Sequence, residues 1–316
     1  MKLGLLSTAR INQALLRAVP TRVEIAAVAS RDAAKAQAYA GEHGIERAHG
    51  SYEALLADDG IDAVYVSLPN GLHHEWTLKA IEAGKHVLVE KPYSRRAAEA
   101  EEAWAAAERA GLVVMEAFMW RHHPQAALAR SLVEEGAIGR LSLIRTTFSF
   151  PLEEPGNVRL AADLDGGALM DVGCYCISGA RLLGGEPEQV FGEQVIGPSG
   201  VDLGFFGTLR FPGDVVAQFD ASFTLPERQR LEAVGDGGTL VLEAPWRVDW
   251  GGRLLVNDEP VDVPATNSYE HELANFAAAI AGEDEPLLGR EDAVAQARVI
   301  EALYRSAESG EVVELS

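Results

Sequence analysis

The tripeptide Glu90-Lys91-Pro92 closes a short apolar run over residues 86–89 that reads as a buried strand. A charged pair at a strand tip followed by proline is unusual, because proline removes a backbone donor and stops the strand. This spacing holds Lys91 at the carboxyl edge of a sheet, where open α/β folds bind ligands. The chemistry expected there is electrostatic, with Lys91 as the charged centre of a hydride-transfer site. The competing reading is a solvated lysine in a loop.

Holding a lysine there takes a parallel sheet, and the chain has the rhythm of one. Residues 2–6, 23–29, 61–67, 86–89 and 112–115 read as buried strands. Helices fall between them. The first follows Ser7-Thr8-Ala9, with Ile11, Ala14, Leu15, Ala18 and Val19 as its apolar face. The next runs over 33–43 and is capped by Asp32. A short one opens at Ser51, another spans 71–83 and ends at Gly84, and an alanine-rich one spans 97–110. The alternation predicts an α/β, doubly wound parallel sheet over residues 1–120. Beyond that point the rhythm changes. A helix over 124–135 leads to a long strand over 141–150, a glycine-rich helix over 167–183, five serial strands between 188 and 243, and two closing helices over 269–281 and 291–309. Serial strands predict a mostly antiparallel sheet, so residues 121–316 form a second, α+β domain.

Composition fits a soluble enzyme of two domains. The 316 residues are 47% hydrophobic and 24% charged, enough to build a sizeable core. The formal charge of −21 opposes nucleic acid and anionic membrane. Cys174 and Cys176 are too close for an ordinary disulfide and read as buried thiols of a reducing, cytoplasmic compartment. The N-terminus lacks a signal-peptide layout, and no run of about 18 apolar residues suggests a membrane span. His122 and His123 have no carboxylate or cysteine at metal-ligand spacing, so no metal is expected.

The first strand–turn–helix is where a dinucleotide fold keeps its glycine fingerprint. Here Ser7, Thr8, Ala9, Arg10 and Ile11 stand in that register, and every fingerprint glycine is replaced. Ser7 and Ala9 are small enough for a pyrophosphate to approach the backbone, and the helix N-terminus offers N–H groups and a positive dipole. An ordinary turn without ligand is the alternative. At the tip of the second strand stand Ser30 and Arg31, with Lys35 a turn later. A carboxylate there would favour NAD; a guanidinium can bind a 2′-phosphate bidentately. The expected cofactor is therefore NADP rather than NAD, unless Arg31 is simply a solvated charge. Asp32, as a helix cap, should point away.

Four segments in this order resemble the glucose–fructose oxidoreductase/inositol dehydrogenase (Gfo/Idh/MocA) family. They are the N-terminal turn, Leu68-Pro69-Asn70-Gly71-Leu72-His73, Glu90-Lys91-Pro92, and the stretch from Gly166 to Tyr175. The stretches from Glu116 to Arg121 and from Asn157 to Leu160 resemble the branch of NADP-dependent D-xylose dehydrogenases and dimeric dihydrodiol dehydrogenases. The resemblance implies a Rossmann domain, a second domain with a large open-faced sheet, a nicotinamide cofactor, a carbohydrate-like substrate, a cis proline after Lys91, and a homodimer or homotetramer formed through that sheet. The activity it implies is oxidation of an aldose such as D-xylose or D-glucose at C1. A trans-dihydrodiol dehydrogenase, an anhydrosugar or ketose reductase, and a non-catalytic dinucleotide sensor are the alternatives.

Oxidising a hydroxyl needs a base, and an ammonium beside a phenol favours the phenolate. Lys91 and Tyr175 could form that pair. Asp171, four residues before Tyr175, would share its helical face and orient the sugar or balance Lys91. A core tyrosine is the alternative for Tyr175. Ser67 ends the third of these strands, Leu68, Pro69, Asn70 and His73 follow it, and all five are expected beside the nicotinamide, as is Glu90. Arg121 is expected at cofactor or substrate, or in an interdomain salt bridge. Arg159 is expected at substrate, or capping the glycine-rich segment. Tyr269 is a further substrate candidate.

Overall fold

The computed structural model describes residues 1–247 and 252–315. The chain divides into two compact units. The first comprises residues 1–94, 98–119 and 267–294; the second comprises 95–97, 120–266 and 295–316. The expected division at residue 120 does not describe the return of 267–294 to the first unit. That return is one helix, the turn after it and the first residues of the closing helix, which a reading by strand rhythm assigns to their neighbours in sequence.

The first unit is a six-stranded parallel sheet of β1 (Lys2–Leu5), β2 (Glu24–Ala29), β3 (Arg47–His49), β4 (Ala63–Val66), β5 (His86–Glu90) and β6 (Val114–Ala117), in the order 3-2-1-4-5-6. Buried on both faces, the central strands β1, β4 and β5 are apolar without alternation: Leu3, Leu5, Val64, Val66, Val87, Leu88 and Val89 are all fully buried. Sequence order reverses between β1 and β4, and such a switch point opens a crevice at the carboxyl edge.

The helices follow their local chemistry. Asp32 caps α2 (Ala33–His43) by accepting from the N–H groups of Ala34 and Lys35, and Gly44 ends it with a left-handed φ of 67°. Ser51 caps α3 (Tyr52–Leu56). The helix α4 (His73–Glu82) follows a 3-10 turn over Asn70–Leu72, and α5 (Ala97–Ala110) buries Ala100, Ala103, Trp104 and Ala107. The first helix is shorter than its apolar pattern suggests. Preceded by tight turns at Ala9, Arg10 and Ile11, α1 spans only Asn12–Leu16. The N–H groups of Asn12, Gln13 and Ala14 donate to those turn carbonyls, so the expected long helix dipole is not there.

The second unit carries α6 (Pro124–Glu134) and α7 (Cys174–Gly184) with a nine-stranded sheet. Its strands are β7 (Leu141–Ser149), β8 (Gln189–Ile196), β9 (Asp202–Arg210), β10 (Val216–Ser222), β11 (Arg228–Gly235), β12 (Gly238–Leu242), β13 (Leu254–Val256), β14 (Glu259–Val261) and β15 (Val313–Glu314), in the order 14-13-12-11-7-10-9-8-15. All neighbours are antiparallel except β7 and β10, where Leu143 faces Val216 in a parallel pair. Ala217, Phe219 and Ala221 of β10 and Leu231 and Ala233 of β11 are buried, and α7 packs against β7, β10 and β11. The opposite face is polar at its centre, where Thr147 and Arg228 both hydrogen-bond Asp220. Two helices close the chain, α8 (Ser268–Ile280) and α9 (Arg290–Ser309).

Candidate active site

In the first unit the expected cofactor residues gather at the carboxyl edge. Ser7, just beyond β1, has its Oγ 2.9 Å from the Ser67 carbonyl and 2.7 Å from the Ser67 Oγ. The same oxygen accepts the Ala9 N–H, and the Asn12 amide donates to the Ser7 carbonyl at 2.8 Å. The serine that replaces a fingerprint glycine thus ties the tips of β1 and β4 across the switch point. Thr8, Ala9 and Ile11 are half-buried, and Arg10 is exposed.

At the tip of β2, Ser30 is buried and its Oγ accepts the Asp32 N–H. The Asp32 carboxylate is occupied by its helix cap. Arg31 and Lys35 are both exposed, and among the described residues neither has an ion-pair partner. Two uncompensated cations beside a diverted carboxylate fit a 2′-phosphate far better than a bare ribose hydroxyl.

His73, fully buried at the start of α4, ties a second pair of loops. Its Nδ1 lies 2.9 Å from the Pro92 carbonyl and its Nε2 2.8 Å from the Leu68 carbonyl. Burial, aided by the Lys91 charge, holds the imidazole below its ordinary pKa although the two carbonyls pull it upward. Leu68 is buried beside it, and Pro69 and Asn70 are half-buried.

Lys91 follows β5 directly, and the Lys91–Pro92 peptide is cis. Its own N–H donates to Glu90 Oε2 at 3.3 Å, and the Tyr65 hydroxyl donates to Glu90 Oε1. Beyond the proline, Glu116 Oε1 accepts the Tyr93 N–H at 2.7 Å. Carboxylates from β5 and β6 therefore hold the backbone on either side of Pro92. Tyr269 and Glu272, on α8, bear on the charge of Tyr65 from the same unit.

The second unit holds the other group of expected residues. The segment Leu169–Gly173 is π-helical and runs directly into α7. Asp171 lies in that wide turn, so α-helical spacing does not set its relation to Tyr175, as the four-residue interval suggested. Its orientation comes instead from Arg159, whose Nε donates to Asp171 Oδ2 at 2.6 Å. The Arg159 carbonyl also accepts the Gly167 N–H at 2.9 Å, so this residue both braces the glycine-rich segment and pairs with the carboxylate. Gly167 has a φ of 128°, and an added Cβ would fall 2.1 Å from Asp202 Oδ1. Asp202, 2% exposed, accepts the Leu169 N–H at 2.7 Å and the Tyr304 hydroxyl at 2.9 Å, which pins the start of the π turn. Burial raises its pKa to about 6.

Tyr175 is 9% exposed and sits among aromatic rings. The ring of Phe148 lies 5.5 Å from it and that of Trp246 5.8 Å, and Trp246 packs edge-on against Trp120. Arg121 donates to the Ser178 hydroxyl at 3.5 Å and lies over the Trp120 ring. His123 caps α6 through the Gln125 N–H. Cys174 and Cys176 are buried free thiols.

Several of these residues escape a reading of the sequence. Phe148 and Trp246 belong to unremarkable aromatic positions, and Asp202 opens a strand with no motif around it. Glu272 has a signal: it is an acid on the apolar stripe of α8, with Leu273 and Phe276. A surface depression of about 500 Å³ lined by Met1, Arg22, Asp59 and Asp62 lies at the amino-terminal edge of the first sheet, the edge away from Ser7, Ser67 and Lys91.

Comparison with known proteins agrees with this geometry. The model for an oxidoreductase family with an NAD-binding Rossmann fold matches residues 4–118, and that for the GFO/IDH/MocA C-terminal domain matches residues 126–241. The chain belongs to the Gfo/Idh/MocA oxidoreductase family. Among curated members, D-xylose 1-dehydrogenase (NADP(+)) 2 of Haloferax volcanii is 40% identical, with 100% of each chain covered. The crystal structure of aldose-aldose oxidoreductase from Caulobacter crescentus superposes with a TM-score of 0.91 at 28% identity, covering 100% of this chain and 99% of that one. KijD10, a 3-ketoreductase from Actinomadura kijaniata solved with NADP and TDP-benzene, gives 0.89 at 31% identity over 97% of both chains. Among the described residues, no helix is long and apolar enough to cross a membrane.

Proposed function

We propose that this oxidoreductase is an NADP-dependent aldose dehydrogenase that oxidises the C1 hydroxyl of a D-xylose- or D-glucose-like pyranose. The observation that carries the reading is its end-to-end, 40% identity with a D-xylose 1-dehydrogenase that uses NADP. The exposed Arg31 and Lys35, left uncompensated by Asp32, support the cofactor choice. When bound, the nicotinamide supplies the hydride acceptor.

The chain's own residues supply the rest. Ser7, Thr8, Ala9, Arg10 and Ile11 would hold the pyrophosphate, and Ser30, Arg31 and Lys35 the 2′-phosphate. Ser67, Leu68, Pro69, Asn70, His73, Glu90 and Arg121 would hold the nicotinamide end. Lys91 provides the ammonium that favours a phenolate, and Tyr175 takes the hydroxyl proton. Aromatic neighbours exclude water around that phenol. Asp171, held by Arg159, orients sugar hydroxyls, and Tyr269 lines the substrate position. In the reverse direction the same groups would reduce a keto sugar, a reading favoured by the likeness to KijD10. A second copy of the chain docks on the outer face of the nine-stranded sheet, where Val195, Ile196 and Phe206 are exposed.

The test is a panel of aldoses with NADP and NAD, followed at the nicotinamide absorbance. NADPH formation with a pentose or hexose supports the assignment. Tight NADP binding without oxidation of any sugar or polyol would replace it with a dinucleotide sensor.

A further inference from the structure

Glu272 is a buried titratable group that this chemistry leaves unused. It lies on α8 with 1% of its surface exposed, and its Oε1 has no hydrogen-bond partner among the described residues. An ionised carboxylate in that setting is strongly disfavoured, because burial removes its hydration and, among the described residues, no donor replaces it at Oε1. Its charged neighbour makes ionisation worse. Glu90, at the tip of β5, acts on Glu272 as a like charge, after burial itself, and together they hold the Glu272 carboxyl well above the ordinary carboxylate range.

The groups around Glu90 come from three elements. From β4, Tyr65 donates its hydroxyl to Glu90 Oε1; burial first, then Glu90, keeps it a neutral phenol. From β5, the Lys91 N–H reaches Glu90 Oε2. From α8, Glu272 acts on Glu90, and Tyr269, three residues away and so on the same helix face, acts on Tyr65. A carboxyl sealed from water and under the influence of a second, half-buried one cannot ionise cheaply, and Glu90 is the one already receiving donors.

We propose that Glu272 is a positioning residue, carried in the folded protein as a neutral carboxylic acid that presents its proton to Glu90, so that Glu90 remains the single anion of this cluster and is fixed beside Lys91. Its effect on turnover rests on the role proposed above for Lys91; its protonation does not. The Glu90 carboxylate then has a donor from Tyr65 and a donor from Glu272, and the backbone of Lys91 is held by a group that cannot swing away.

Infrared spectra of the unliganded protein in H2O and D2O test this directly. A protonated-carboxyl band should persist in the wild type above neutral pH, where Asp202 has ionised, and be missing from Glu272→Gln. In Glu90→Gln, which removes the neighbouring charge, the band should vanish at lower pH. Stability gives a second arm. A carboxyl whose folded pKa is raised costs stability progressively as pH climbs from its unfolded value toward the folded one, so Glu272→Gln should gain on the wild type with rising pH. Glu272→Gln keeps a donor and should hold kcat within about threefold, whereas Glu272→Leu should lose about tenfold or more in kcat with NADP affinity unchanged. Identical infrared spectra for wild type and Glu272→Gln, or parallel pH–stability curves, would overturn the protonation. An unimpaired Glu272→Leu enzyme would overturn the positioning. If no sugar is oxidised, the infrared and stability arms still decide, and the failure belongs to the assigned reaction.

Discussion

Replacing Arg31 by alanine should separate the two nicotinamide cofactors. The side chain is exposed at the tip of β2, and the one carboxylate adjacent to it in sequence is spent on the N–H groups of Ala34 and Lys35, at 2.9 and 3.2 Å. Among the described residues no carboxylate therefore pairs with the guanidinium in competition with a 2′-phosphate. Hydrogen bonds to charged groups contribute about 1.5–3 kcal/mol, which is about 10- to 150-fold in affinity. Exposure and the second cation at Lys35 put the expected loss near the lower end, and salt should shrink it further. Steady-state kinetics with NADP and NAD, at low and high salt, provide the assay. KM for NADP should rise about tenfold or more in Arg31→Ala while kcat and the NAD parameters stay within about twofold. Equal weakening of both cofactors would show that Arg31 supports the fold or the pyrophosphate. No change for NADP would remove the basis for choosing it.

Asp202→Asn should alter how stability depends on pH. The folded carboxyl titrates at about 6, above its ordinary value of 3.8, so its contribution is greatest in acid and declines as pH rises from about 4 through about 6. A shift of that size corresponds to about 3 kcal/mol, so urea unfolding should show the wild type losing up to that much, relative to the variant, across the interval. Removing the guanidinium in Arg159→Leu should raise KM for the sugar severalfold without changing cofactor affinity. Its effect on thermal stability should be under about 1 kcal/mol, because the pair with Asp171 is partly exposed.

The parts of the fold legible in the sequence are those where one local rule dominates. Apolar runs without alternation marked β1, β2, β4 and β5. Asp32, Ser51 and Gly84 mark helix ends in the sequence through capping and positive φ. The strands β3, β13 and β14 were missed because each has three residues, and only Leu254 among them is buried. The π turn at Leu169–Gly173 reads as ordinary helix in the sequence, where no local residue type marks it. Among the candidate site residues, Lys91 stands out in the sequence through an abrupt local feature, a proline behind a charged pair. Glu116, Asp202 and Glu272 were not, because their roles come from burial against segments far away in sequence.

The most direct test of the account is one preparation of Lys91→Ala measured twice, once for NADP affinity by fluorescence titration and once for turnover of an aldose that the wild type oxidises. Affinity should stay within a few-fold while turnover falls by about 100-fold or more, the scale of a lost proton-transfer function. Wild-type turnover in that variant would contradict the role of Lys91 and the reaction built on it.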